Sequence, residues 1–271
     1  MKHLLILTYR TLLIGLFFPL FLSCQTKVID PQYKLIAHRG GVVEGLYTEY
    51  DPRSIDKAIQ RGYAMLEIDL RATSDKEIIL HHDRDLNATF GVDKTTEEMT
   101  LADIQQLKSL KEGFTLMSLD DICKKCNGKV GFMLDIKYKG GEQWFFDKIN
   151  ETLSKYDMWD NTIVLSEEFE PMLPLGRFGF GTNQVGNMKQ HIAKGEAIHQ
   201  RYYLFDIAAN ITPETIKWCK ENNIEVCAAI NIFRYTKEKM DEEVKKHIAM
   251  LKENGVSTYQ IDSGFDIYFR K

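Results

Sequence analysis

Residues 54–70 read Ser54-Ile55-Asp56-Lys57-Ala58-Ile59-Gln60-Arg61-Gly62-Tyr63-Ala64-Met65-Leu66-Glu67-Ile68-Asp69-Leu70. Residues 54–61 have the amphipathic spacing of a surface helix, and Gly62 stands where a left-handed C-terminal turn needs glycine. Residues 65–70 form a short, nearly continuous apolar run, the mark of a strand buried on both faces of a parallel sheet. Helix then buried strand is the repeating step of an α/β fold.

The same step recurs along the chain. Further strands are expected at 35–38, 77–82, 130–137, 162–166, 203–207, 225–231 and 257–262, which makes eight. Helical patterns fall at 100–110, 118–126, 143–155, 213–222 and 237–254, several preceded by Ser, Thr or Asp as N-caps. No internal repeat, Pro/Ser-rich linker or change of composition follows residue 33. A single (β/α)8 TIM-type barrel over residues 33–271 is the expected architecture. One joint is irregular, because residues 71–76 between the second and third strands are too few for a helix. Six extended residues span roughly 20 Å, so either a bare crossover between parallel strands or an antiparallel hairpin fits.

The chain of 271 residues carries 35 Lys and Arg against 39 Asp and Glu, a formal charge of −4 without long like-charge blocks. That excludes a polybasic membrane patch or a nucleic-acid surface. The N-terminus has a different character. Lys2 and Arg10 precede an apolar run over residues 11–22, shorter than the ~20 residues that span a bilayer. Residues 1–23 are read as a signal peptide. Phe21-Leu22-Ser23-Cys24 resembles the lipobox of bacterial lipoproteins, which implies an exported chain, acylated on Cys24 and tied to a membrane by a tether over residues 24–32. A simple cleaved signal is the alternative. Removal of residues 1–23 leaves 248 residues with a formal charge of −6.

Cys123 and Cys126 form a Cys-x-x-Cys, but they lie in an amphipathic helical stretch with no second Cys or His pair at zinc-ligand spacing. They are expected to be packing residues of one helix face.

Four strands break the apolar rule at their carboxyl ends. The sequences are Leu35-Ile36-Ala37-His38-Arg39-Gly40-Gly41, Leu66-Glu67-Ile68-Asp69, Ile79-Leu80-His81-His82-Asp83 and Met133-Leu134-Asp135-Ile136-Lys137. On a strand i and i+2 share a face, so Glu67 projects with Asp69, and Asp135 with Lys137. In a barrel those ends converge on one mouth, where active sites sit. Carboxylates this close need compensation. A divalent cation held by Glu67, Asp69 and Asp135 would supply it, and all-oxygen ligation favours Ca²⁺ or Mg²⁺. Pairing with Arg39 and Lys137 alone is the other possibility.

These residues resemble the glycerophosphodiester phosphodiesterase family, whose barrel is related to phosphatidylinositol-specific phospholipase C. The resemblance rests on His38-Arg39-Gly40-Gly41, on Glu67-Ile68-Asp69 five residues after Gly62, and on His82-Asp83 with Leu86 and Thr89. Further support comes from Leu101-Ala102-Asp103-Ile104, Ser118-Leu119-Asp120-Asp121 and Asp135-Ile136-Lys137. It implies metal-dependent hydrolysis of a small glycerophosphodiester to glycerol 3-phosphate and an alcohol. His38 and His82 would then be the acid and base, and Arg39 and Lys137 the phosphate-binding groups. Strand alternation lets only one of His81 and His82 face the interior, and the His-Asp match selects His82.

The chain also departs from the family. Thr48-Glu49-Tyr50-Asp51 stands for Pro-Glu-Asn-Thr, keeping only Glu49 as an outer-shell ligand or substrate contact. Asp135 replaces Glu, and Ala228-Ala229-Ile230-Asn231 replaces Trp-Thr-Val-Asn, removing an aromatic surface over the substrate. A lyase releasing a cyclic phosphate, and an inactive surface-lipoprotein binding module, are the rival functions.

Overall fold

The computed structural model describes residues 28–41 and 47–271. The expected signal peptide and Cys24 lie outside the described residues. Eight parallel strands close into a barrel: β1 (Lys34–Ala37), β2 (Met65–Ala72), β3 (Gly131–Ile136), β4 (Thr162–Val164), β5 (Phe178–Phe180), β6 (Tyr202–Ile207), β7 (Val226–Ile230) and β8 (Thr258–Ile261). Neighbours in sequence are neighbours in space, and β1 pairs with both β8 and β2 to complete the ring. The main helices are α1 (Pro52–Arg61), α2 (Leu119–Cys126), α3 (Gln143–Lys155), α4 (Val185–Ala193), α5 (Pro213–Glu221) and α6 (Met240–Glu253).

Local sequence explains the elements that position the site. α1 begins two residues before its expected start, because Asp51 accepts a hydrogen bond from the Arg53 N–H and Pro52 occupies the first turn. It stops at Gly62, whose left-handed backbone lets its N–H reach the carbonyls of Ala58 and Ile59. α2 opens with a reciprocal cap between Ser118 and Asp121. Its Cys123 and Cys126 are buried free thiols that burial pushes up to about 12, packing residues as expected.

Two apolar layers hold the staves. Inside the barrel, Ile36, Met133, Ile163, Tyr203 and Cys227 form a plug below the mouth. Outside, side chains of the opposite strand faces join those of the helices in the principal core. Each fully buried Leu, Ile or Phe there contributes about 1.5–3 kcal/mol.

The structure corrects the expected third stave. Ile78–Leu80 is not in the ring; it pairs antiparallel with Leu70–Ala72, the extension of β2 above the barrel. Thr73 Oγ1 accepts from the Glu77 N–H in the connecting turn, where Lys76 takes a left-handed backbone. The turn reverses the chain, so the hairpin alternative is the one adopted. The true additional stave is Phe178–Phe180, and α4 follows it; neither was expected. Residues 81–117 then form an insertion whose Leu86, Phe90, Ile104, Phe114 and Leu116 make a small core with Ile79 of the hairpin. The helix expected at 100–110 is shorter there, Leu101–Gln106. At the opposite end of the barrel Ile29 is buried and bridges Arg270, so residues 28–32 of the expected tether are docked on the barrel.

Candidate active site

The carboxyl ends of β1, β2 and β3, with the insertion, build a cleft of about 230 Å³ lined by His38, Arg39, Glu67, Asp69, His82, Asp135 and Lys137. Every principal residue expected from the strand ends is brought to this one place.

Register assembles the acids. β2 and β3 pair so that Asp69 lies directly opposite Asp135, and Glu67 precedes Asp69 on the same face. Glu67 and Asp69 are 2% and 0% exposed. One carboxylate oxygen from each of Glu67, Asp69 and Asp135 falls within 4.8 Å of the others. Burial, then the charges of Asp69 and Asp135, pushes Glu67 well above the usual carboxylate range; burial and Asp69 raise Asp135. Lys137 donates to Asp135 Oδ2 at 2.7 Å and comes within 3.2 Å of Asp69 Oδ1. The second contact is off the hydrogen-bonding direction, so that buried oxygen has no hydrogen bond among the described residues. Three carboxylates against one ammonium, with an unsatisfied buried oxygen among them, are a donor set that fits a hard divalent cation.

The turn after β1 places the basic groups. Arg39 has a left-handed backbone, φ 55°, and Gly40 follows at φ 75°. A Cβ at Gly40 would lie 2.4 Å from the Tyr50 ring, so only glycine fits. This turn aims the Arg39 N–H at Glu67 Oε2, 2.6 Å away. Its guanidinium pairs with Glu49 and lies 3.4 Å from His82 Nε2, while its buried Nε–H has no partner among the described residues. Glu49 therefore meets the arginine and lies outside the carboxylate cluster.

The two imidazoles are oriented by carboxylates. His38 Nδ1 lies 2.6 Å from Asp262 Oδ1, and His82 Nδ1 lies 2.9 Å from Asp83 Oδ1. A carboxylate only accepts, so each Nδ1 carries the proton and each Nε2 keeps a lone pair, that of His82 facing the Arg39 guanidinium. His81 points the other way. Its Nε2 donates to the Asp85 carbonyl at 2.9 Å, its ring packs on Phe90, and burial pushes it below the ordinary imidazole value.

Two functional residues escaped sequence reasoning. Asp262, which also accepts from the Ile232 N–H at 2.6 Å, ends the last expected strand and was legible by the strand-end rule applied to the other four. Tyr50 carries no such signal. It sits in a loop, fully buried, its hydroxyl donating to Asp69 and accepting from the Asp69 N–H at 3.2 Å.

Fold and site together define a (β/α)8 barrel whose mouth carries an acidic cluster able to hold a cation beside basic groups suited to a phosphate ester. The sequence model of the glycerophosphoryl diester phosphodiesterase family matches residues 38–173, and the chain belongs to that family. A glycerophosphodiester phosphodiesterase of Bacillus altitudinis is 25% identical over 142 residues, which cover 49% of this chain and 57% of the relative. The chain thus aligns with little more than half the length of that relative. One of Caldanaerobacter subterraneus is 23% identical over 239 residues, 78% of this chain and 89% of the relative. Among solved structures, a phosphodiesterase of Oleispira antarctica in complex with the product sn-glycerol-3-phosphate superposes with a TM-score of 0.65. It is 18% identical and covers 85% of this chain and 93% of that one, a likeness of fold.

Proposed function

We propose that this protein hydrolyses glycerophosphodiesters to glycerol 3-phosphate and an alcohol. In this reading a divalent cation, Ca²⁺ or Mg²⁺, is held by Glu67, Asp69 and Asp135, and the chain is exported and membrane-anchored through Cys24. The observation that carries the catalytic reading is the convergence of two carboxylate-oriented imidazoles, a guanidinium and the acidic cage in one cleft. Family membership and the activity named for the relatives support it. The lipobox-like Phe21-Leu22-Ser23-Cys24 supports the anchor, for which loss of palmitate labelling in Cys24→Ser is the check.

Diester hydrolysis must bring a nucleophile to an anion and expel an alkoxide. The cation, when bound, supplies Lewis-acid charge to a phosphoryl oxygen. Arg39 presents its buried Nε–H and Lys137 its ammonium to the remaining anionic oxygens, where they hold charge as it develops. His38 and His82 each offer Nε2, one to take the proton from the nucleophile and the other to give one to the leaving oxygen. Asp262 keeps His38 in the required tautomer and stabilises its imidazolium form, which either role demands.

The test is release of glycerol 3-phosphate from glycerophosphocholine and glycerophosphoglycerol, followed by phosphorus NMR. EDTA should abolish it and Ca²⁺ or Mg²⁺ restore it. A cyclic phosphate as the final product, or no turnover, would sink the hydrolase reading. Activity indifferent to EDTA would sink the metal.

A further inference from the structure

Beside the catalytic cleft lies a second hollow of about 380 Å³. Ile207, Ala229, Phe233 and Arg234 line both, so the two share a wall. In the ring, β6 and β7 stand across from β2 and β3. The hollow therefore lies on the side of the mouth away from the acidic cluster.

We propose that the hollow is the leaving-group subsite and that it selects an alcohol bearing an ammonium group, which deepens and rests on the phosphodiesterase reading. Its floor is apolar: Ile207, Ala208 and Ala229 offer no side-chain hydrogen bond to a polyol. Its walls add the rings of Phe233 and Tyr235, and Phe233 is 62% exposed beside the His38 ring, 6.1 Å away. Tyr235 and His247 satisfy each other at 3.2 Å, and burial pushes His247 below the ordinary imidazole value, so it adds no competing positive charge near neutrality. That leaves Glu243, a half-buried carboxylate with no side-chain hydrogen bond or ion pair among the described residues though its charge is felt by His247 and Tyr235, beside a hollow with two aromatic rings.

The charges are ordered from cleft to hollow. Arg234 is stacked on Phe233 at 4.7 Å with no ion pair among the described residues, and it lines the wall common to both. It stands between cleft and hollow; Glu243 lines the hollow alone. Cation before carboxylate matches phosphate before ammonium. A carboxylate with aromatic faces is the general way to hold a quaternary or primary ammonium.

The experiment compares kcat/KM for glycerophosphocholine and glycerophosphoglycerol in the wild type, Glu243→Gln and Tyr235→Leu. The wild type should favour the choline ester about tenfold, the equivalent of ~1.4 kcal/mol of cation recognition. Each variant should cut that ratio at least about fivefold. A wild type that favours the glycerol ester, or a ratio unmoved in both variants, overturns the subsite. If neither diester is hydrolysed, the phosphodiesterase reading is what has failed, and the subsite is judged by calorimetric titration with tetramethylammonium. Binding that is lost in Glu243→Gln supports it, and no binding to the wild type overturns it.

Discussion

The two walls of the barrel mouth differ in kind. The wall built by β1, β2 and β3 carries two imidazoles, an arginine, a lysine and three carboxylates. The wall built by β6, β7 and the turn after β7 presents Phe205, Ile207, Ala229, Asn231 and Phe233, with Arg234 as its one charged group there. The same staves support both, so the contrast belongs to the strand ends and loops, where such folds carry their chemistry. In the proposed reading one wall concentrates the groups that act on the phosphate, and the other meets the part of the substrate that varies. The family match over residues 38–173 covers the first wall and stops before β6.

The largest effect that would break this division is on the reacting groups. His38→Ala and His82→Ala should each lower kcat by about 10²- to 10⁴-fold, the usual contribution of a positioned acid or base. Both should still bind Ca²⁺ or Mg²⁺ in calorimetry, since neither imidazole belongs to the acidic cage. A loss below tenfold in either variant would take acid–base work away from the charged wall. Asp262→Asn comes next. It keeps the shape but lets Nδ1 face a group that can donate, so kcat should fall about 10- to 100-fold with glycerophosphodiester KM little changed. An equal loss through KM alone would make Asp262 a substrate contact.

The same contrast explains what could be read from residues alone. A charge at the end of an apolar strand is conspicuous, so Glu67, Asp69, Asp135, His38 and His82 were legible before any fold was known. Neutral and glycine-rich elements are not. Phe178-Gly179-Phe180 is a stave of three residues with Gly176 and Gly181 close by, a composition that reads as a turn. Gly179 is there because a Cβ would lie 2.5 Å from the Leu165 carbonyl, so close approach of strands erased the strand signal. α4 was hidden for a similar reason, with Gly186 in its first turn. Ile78–Leu80 was misassigned because an apolar run of that length does not say which way it runs; the Thr73–Glu77 turn decides it.

Tyr50 gives a sharper and smaller test of the charged wall. Its hydroxyl both donates to Asp69 and accepts from the Asp69 N–H, so it fixes one carboxylate of the cage from behind. Tyr50→Phe should weaken Ca²⁺ or Mg²⁺ binding about 10-fold by calorimetry, the low end of what loss of a ligand-orienting partner costs. Unchanged affinity would mean that packing against Gly40 is its whole role.

The smallest effect concerns what the charged wall costs the protein when no cation is present. Burial and mutual repulsion hold Glu67 well above, and Asp135 above, the values these carboxyls have in the unfolded chain. A raised group binds more protons folded than unfolded, so its stabilising contribution is complete below the unfolded value and is lost as pH rises through the folded one. Buried His81 acts in the opposite sense, because its lowered value costs stability as pH falls below about 6.5. Glu67→Gln has no proton to lose there and shares His81 with the wild type, so the difference between the two isolates Glu67. The EDTA-treated wild type should lose melting temperature relative to that variant as pH rises from 5 to 8. Saturating Ca²⁺ or Mg²⁺ should raise the midpoint more at pH 8, because the ion binds the ionised carboxylates and competes with their protons. An EDTA-treated wild type whose pH dependence matched that of Glu67→Gln would show that Lys137 alone compensates the cluster, and the cation would no longer be needed to account for two buried acids and a half-buried third on one wall.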